Sequence, residues 1–379
     1  MTTARNAGQG TRVTEAGWAS APVKPPASPS DEATDDQLRL AREQGQAVDA
    51  AVAWFAGHGS MAAATMGAGE YQITCLLRRP EGEWTSAPAA AALEWRPDAG
   101  NAVVTVIVQD GADRRLVPGL DVSVRVWDGS GAPVAAQALP YRWGIPVEAY
   151  AAGLSLPAGP LRVRIDVQPP AYWRHDPFNG DRFANPTFAE FTGLRLDPGQ
   201  SPPPPGDPAT ALALAKGQGA ALARAYDEMS RGVANQGTET VVGEYRVAYA
   251  VEYAETFWRM AGGKLVYDAR PEQSAETNAH VEVAVFDALT GRFLPGLSVQ
   301  VSVLDAAGRP AGTQDVPFMW HPWLHHYGRN WRVPRAGEYR LRIHVEPPAW
   351  ARADRELGRR FTQPIDVVFD RVHVFTGQK

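Results

Sequence analysis

The sequence predicts a mainly β protein made of two tandem immunoglobulin-like β-sandwiches, each preceded by an amphipathic helix. Three observations carry that prediction. The chain repeats itself once, at a period far longer than that of a solenoid array. Each copy opens with apolar residues spaced three and four apart. Each then continues in short alternating runs separated by Gly and Pro turns.

The repeat can be followed in chain order. Residues 1–33 are small, polar and proline-containing, and read as a disordered leader. The first unit, 34–196, begins with Leu38, Ala41, Gly45, Val48, Val52 and Phe55 on one helical face. GEYQITCLLRRPEGEW from Gly69, VPGLDVSVRVWD from Val117 and PAGPLRVRIDVQPPAYW from Pro157 follow as strands and turns. A proline-rich linker, 197–208, favours an extended spacer. The second unit, 209–379, repeats the plan: a helix ALALAKGQGAALARAYDEM, GEYRVAYAVEYAETFW from Gly243, LPGLSVQVSVLD from Leu294 and PRAGEYRLRIHVEPPAW from Pro334. Phe183, Pro186 and Phe191 recur as Phe361, Pro364 and Phe369. Gly45 and Gly219 occupy equivalent points inside the helices, where glycine costs about 1 kcal/mol against alanine. Either the two helices pack closely at a pseudo-twofold contact, or the positions simply tolerate glycine.

Composition narrows the function. With 379 residues and 44% hydrophobic content, the chain can bury two cores. A net charge of -5 offers no basic face, so nucleic acid is not an expected partner. No apolar run is long enough to span a bilayer, and residues 1–33 lack the apolar core of a secretory signal, which taken alone points to the cytoplasm. The single cysteine, Cys75, reads as a small core residue and leaves imidazole, carboxylate and thioether as the available metal ligands.

Shared residues between the copies say only that both fold; the differences locate function. His280 and Glu282 stand where the first copy has Val103 and Thr105, and in a strand they share a face. VPFMWHPWLHHYG aligns with LPYRWGIPVEAYA, pairing Met319 with Arg142, His321 with Gly144, His325 with Glu148 and His326 with Ala149. His344 pairs with Asp166. These are five of the six histidines in the second unit, and none of the five has a histidine at the matching position of the first. His325 and His326 point opposite ways in extended chain, so only one of them is expected to enter a site. His344 reads first as an ordinary strand histidine. Trp320, Trp323 and Trp331 either wall a site from water or fill the sandwich core and edges.

Taken together, His280-Val281-Glu282, Phe318-Met319 seven residues ahead of His326-Tyr327-Gly328, Gly337-Glu338-Tyr339 and the run His344 to Pro348 resemble the bacterial periplasmic iron-transport-associated (Fe2+ transport protein) family. The resemblance covers roughly residues 275–372. It implies an immunoglobulin-like fold, an extracytoplasmic setting, an iron permease as partner, and copper or another divalent metal bound by His280, Glu282, Met319 and His326. Family members commonly act as dimers; here a homodimer or an intramolecular pseudo-dimer is implied. After the Pro-Pro pair the family usually carries a further histidine, whereas this chain reads AWARADRELGRRF. His321, His325 or His344 is then the candidate substitute. The first unit, lacking every matching ligand, is expected to be structural.

Imidazole, carboxylate and thioether form a borderline-soft set that suits copper best and iron less well. Metal uptake is expected to fade as pH drops through about 6.5, where imidazole protonates. The resulting reading is a non-enzymatic copper- or iron-class binding protein associated with iron uptake. Its alternatives are a structural or assembly module with a degenerate site and, on the strength of two histidines and a carboxylate, a non-haem iron oxygenase. No nucleophile motif or nucleotide fingerprint supports an enzyme.

Overall fold

The computed structural model describes residues 24–86, 93–197, 199, 203–234, 237–268 and 277–376. Residues 1–23 of the expected leader, and 198 and 200–202 of the expected linker, lie outside the described residues. The chain is mainly β, with two sandwiches and a helix ahead of each.

Helix α1 spans Asp35–Gly57 and starts at a capping box, in which Thr34 and Gln37 satisfy each other's backbone N–H. Helix α2 spans Pro208–Glu228; Asp207 caps it by accepting from the N–H groups of Ala209 and Thr210, and Pro208 loses no hydrogen bond at the first turn. One turn of π-helix, Met229–Val233, extends it. Gly45 and Gly219 do not mark a helix–helix contact. A β-carbon at Gly45 would sit 1.7 Å from the Asp113 carbonyl oxygen, and one at Gly219 would sit 1.9 Å from that of Thr290. Each glycine lets its helix press onto a strand-connecting turn of its own sandwich.

In each sandwich a four-stranded sheet packs on an eight-stranded one. The four-stranded sheets run Thr187–Leu196, Gly159–Val167, Val122–Asp128, Pro133–Leu139 in the first half and Ile365–Val374, Gly337–Val345, Val299–Leu304, Pro310–Asp315 in the second. The central strands Ala102–Asp110 and Ala279–Asp287 are buried along their whole length. One face of each meets the sandwich core; the other meets the helices and loops laid over the sheet. Val281, Val283 and Val285 go to the core. Alternation therefore sends His280 and Glu282 to the covered outer face, which explains how two polar side chains become buried on a strand.

The large sheets exchange segments. The second-half sheet runs Thr238–Val242, Tyr245–Glu252, Ala279–Asp287, His325–Trp331, Phe318–Trp320, then Trp173–Arg174 from the first half, then Phe257–Ala261 and Lys264–Asp268. Trp173 and Arg174 pair in parallel with Met319 and Trp320. Reciprocally, Ala351 and Arg352 enter the first-half sheet in parallel with Arg142 and Trp143. A fully buried arginine pins each exchanged segment. Arg174 donates to the carbonyls of Arg182, Tyr172 and Pro170, and Arg352 to those of Arg360, Trp350, Pro348 and Phe361. Five N–H donors in a planar fork make arginine suited to holding a turn in place.

Cys75 is buried, and burial pushes its thiol up to about 12. Residues 24–33 correct the expectation of a disordered leader. They form a pinned arm: Lys24 Nζ donates to the Asp181 carbonyl, Ser28 exchanges hydrogen bonds with Asn179, and Ser30 Oγ donates to Asp176.

Candidate metal centre

Three strands and one exchanged turn build the centre. Strand Ala279–Asp287 supplies His280 and Glu282. Its neighbour His325–Trp331 supplies His326, which lies opposite Met319 in the ladder. The turn after Trp173–Arg174 supplies His175, whose backbone N–H donates to the Trp320 carbonyl at 2.9 Å. His175, His280, Glu282 and His326 are all buried, and each offers a ligand atom within 4.8 Å of the others.

The spacing suits one cation. His326 Nε2 lies 3.1 Å from His175 Nε2 and 3.3 Å from Glu282 Oε1, and His280 Nε2 lies 3.8 Å from the same oxygen. Donors about 2.1 Å from a tetrahedral ion stand about 3.4 Å apart, so these separations need only small side-chain adjustments. The thioether faces the same space. A β-carbon on Gly328 would come within 2.8 Å of both His280 Nε2 and Met319 Sδ. Glycine at 328 leaves that space to donor atoms; the first copy has Ala151 at the aligned position.

Neighbouring groups orient the rings. His175 Nδ1 lies 2.5 Å from Glu255 Oε2, which directs Nε2 at the centre. His280 Nδ1 lies 3.0 Å from Asn330 Oδ1, and Asn330 Nδ2 donates in turn to the Glu255 carbonyl. Such outer contacts fix tautomer and ring plane in metal-binding histidines. Burial, then the facing histidines His175, His280, His321 and His325, hold His326 well below the ordinary imidazole range, so it is neutral and able to donate a lone pair.

The other sequence candidates separate. His321 lies outside this group and forms a second one with Glu32 and His175. His325 points away: it packs edge-on against Phe293 and Phe318 and lines a small cavity with Arg115 and Arg292. His344 sits on the outer four-stranded sheet, a third exposed, between Glu346 and Asp366, whose hydrogen bonds raise its pKa. Neither histidine belongs to the centre. Of the tryptophans, Trp331 lies in the second core and Trp320 in the first, while Trp323 packs on His321 beneath α1.

One residue of the group comes from the first half, which the sequence reading treats as purely structural. His175 aligns with Ala353 of AWARADRELGRRF, so the histidine absent after the second Pro-Pro pair is present after the first, and segment exchange carries it across. The repeat alignment held the signal, since WRHD against ARAD is itself a difference between copies. The positions matching His280, Glu282 and His326 hold Val103, Thr105 and Ala149 in the first half, and the position matching His175 holds Ala353 in the second. There Arg142 replaces Met319 and forms ion pairs with Glu83 at 2.6 Å and Asp98 at 2.8 Å.

Glu282 and His326 also line the floor of a cavity of about 570 Å³ that runs beneath the end of α2, the π-turn and strand Thr238–Val242. The cavity reaches two of the four grouped donors.

Part of the chain is similar to known proteins. The profile of the Fe2+ transport protein family matches residues 238–374. FetP of uropathogenic Escherichia coli strain F11 is 21% identical over 37% of this chain and 94% of its own, with a TM-score of 0.28. A copper-bound variant of the same FetP is 22% identical over 36% of this chain and 96% of its own, with a TM-score of 0.27. Copper-reconstituted P19 of Campylobacter jejuni is 15% identical over 38% of this chain and 96% of its own, with a TM-score of 0.31. No curated protein matches the chain.

Proposed function

We propose, from the premise that the second half of the chain is a domain of the Fe2+ transport protein family, that the protein binds one copper-class or iron-class divalent ion per chain as cargo in iron uptake. The convergence of His175, His280, Glu282 and His326, with Met319 Sδ facing the same space, carries this reading. Three imidazoles, one carboxylate and one thioether favour copper on intrinsic affinity, and the carboxylate keeps the set open to Fe(II). We take the ligand set to be these five residues.

The two units, 34–196 and 209–379, act as a covalent pseudo-dimer in which the first lends the second a ligand. No reaction is assigned to the centre; an iron permease as partner and an extracytoplasmic setting are part of the proposal, supported by the family match over 238–374. The test is equilibrium dialysis of the purified chain with metal analysis. One specifically bound ion per chain is expected, and His280→Ala and His326→Ala should each weaken binding by about 100-fold or more. A chain that binds no ion specifically, or variants that bind like the parent, would remove the assignment.

A further inference from the structure

Beside the centre lies a second convergence of donors. Glu32, His175 and His321 offer ligand atoms within 4.8 Å of one another. Glu32 belongs to the pinned arm, outside the stretch that matches the family. Its position is built: the Glu32 N–H donates to Ser30 Oγ, and Trp323 Nε1 donates to the Glu32 carbonyl at 3.0 Å. His321 Nε2 stands 3.9 Å from Glu32 Oε2. Arg115 donates to the His321 and Pro322 carbonyls and so fixes the turn that carries the ring. The His321 side chain is only 4% exposed, yet its Nδ1 has no hydrogen-bond partner among the described residues. A buried imidazole held beside a carboxylate, with a second imidazole inside the same 4.8 Å, is a donor set that one ion can complete.

His175 belongs to both groups. Its Nδ1 faces Glu255, so a single nitrogen, Nε2, remains to be shared. One lone pair serves one ion at a time. We infer that Glu32, His175 and His321 form an outer station for the same divalent ion, which exchanges with the inner centre by pivoting on His175. This rests on the proposed function. The outer set has no thioether and a larger carboxylate share, so it is the harder of the two and holds copper less tightly. The ion would thus pass between the arm and the inner centre without losing its imidazole ligand.

The test uses the full chain with Co(II), whose visible absorption reports its ligands, and Cu(II). Disabling the inner centre with His280→Ala plus His326→Ala should leave one Co(II) per chain bound about 100-fold more weakly, with an altered spectrum. Adding Glu32→Gln or His321→Ala should abolish that residual binding. In the otherwise intact chain, Glu32→Gln should slow copper uptake by stopped flow about tenfold. A folded inner-disabled variant that binds no Co(II), or binds it indifferently to Glu32 and His321, overturns the inference and leaves the proposed function standing. Should the double variant fail to fold, the uptake rate of Glu32→Gln decides alone: an unchanged rate overturns the outer station. A parent chain that binds no ion sinks both readings.

Discussion

Replacing His175 by alanine asks whether a residue of the first half completes a centre in the second. It removes one of five converging donors and its ring contacts with His280, His321 and His326. Losing a residue that merely orients a metal ligand costs about 10- to 100-fold in affinity, so losing the imidazole itself should cost at least about 100-fold, or about 2.7 kcal/mol. The apoprotein should suffer separately. Glu255, 4% exposed, loses the imidazole 2.5 Å away, and a buried polar group deprived of its partner costs about 1–3 kcal/mol. The assay is a competition titration of copper against a chelator, with chemical denaturation of the apoprotein in parallel. Glu255→Gln, which keeps an acceptor but not the charge, should fall between parent and His175→Ala. His344→Ala, on the exposed outer sheet, should bind like the parent. A folded His175→Ala chain within about threefold of parental affinity, where about 100-fold is expected, would refute the dependence on segment exchange.

Gly328→Ala places a methyl 2.8 Å from His280 Nε2 and Met319 Sδ and should weaken copper binding at least about tenfold in the same titration. Arg142→Met strips the ion pairs from Glu83 and Asp98, whose side chains are 20% and 3% exposed, and should cost about 3–5 kcal/mol by denaturation without creating a second binding site. Gly45→Ala drives a β-carbon into the Asp113 carbonyl and should cost about 1–3 kcal/mol. Burial holds His325 and His326 well below the ordinary imidazole range, so between about pH 6.5 and their lowered values the unfolded chain binds protons that the folded chain refuses. These two groups should therefore make apoprotein stability fall as pH drops below about 6.5, read by denaturation across pH. For the same reason His326 should remain a competent ligand below the pH at which a solvated imidazole protonates.

The fold was legible because its determinants are local. Helix periodicity from Leu38 to Val52 and alternation in Gly337–Val345 appear in the burial of those elements. His280 and Glu282 could be placed together because strand geometry alone sets side-chain direction at i and i+2. His326 and Met319 came from the resemblance, and their pairing across a ladder is non-local. His175 escaped for a different reason. Reading the repeat as two self-contained sandwiches assigns each turn to its own sheet, and nothing in the Trp173–Arg174 segment announces that it pairs with Met319 and Trp320 instead. The arm failed likewise: proline and small residues suit disorder, but side-chain bonds from Lys24, Ser28 and Ser30 to the turn around Asp176 hold it.

The exchange also accounts for the proposed inner centre lying in only one of two matching frameworks. In a symmetric pair each half would lend a histidine to the other, whereas here one exchanged segment carries His175 and the other Ala353. Deleting the donors from one framework alone would leave buried space and, at Asp98 and Glu83, carboxylates without a cation nearby. Arg142 meets both needs at the position of Met319, because its guanidinium is a permanent positive charge with a fork matched to two carboxylates. Burial raises the pKa of Glu83 and Arg142 opposes the rise, so the charge on the arginine counts there. On the proposed function, a fixed cation in one half and an exchangeable one in the other keep the two sheets alike in register while only one takes up metal.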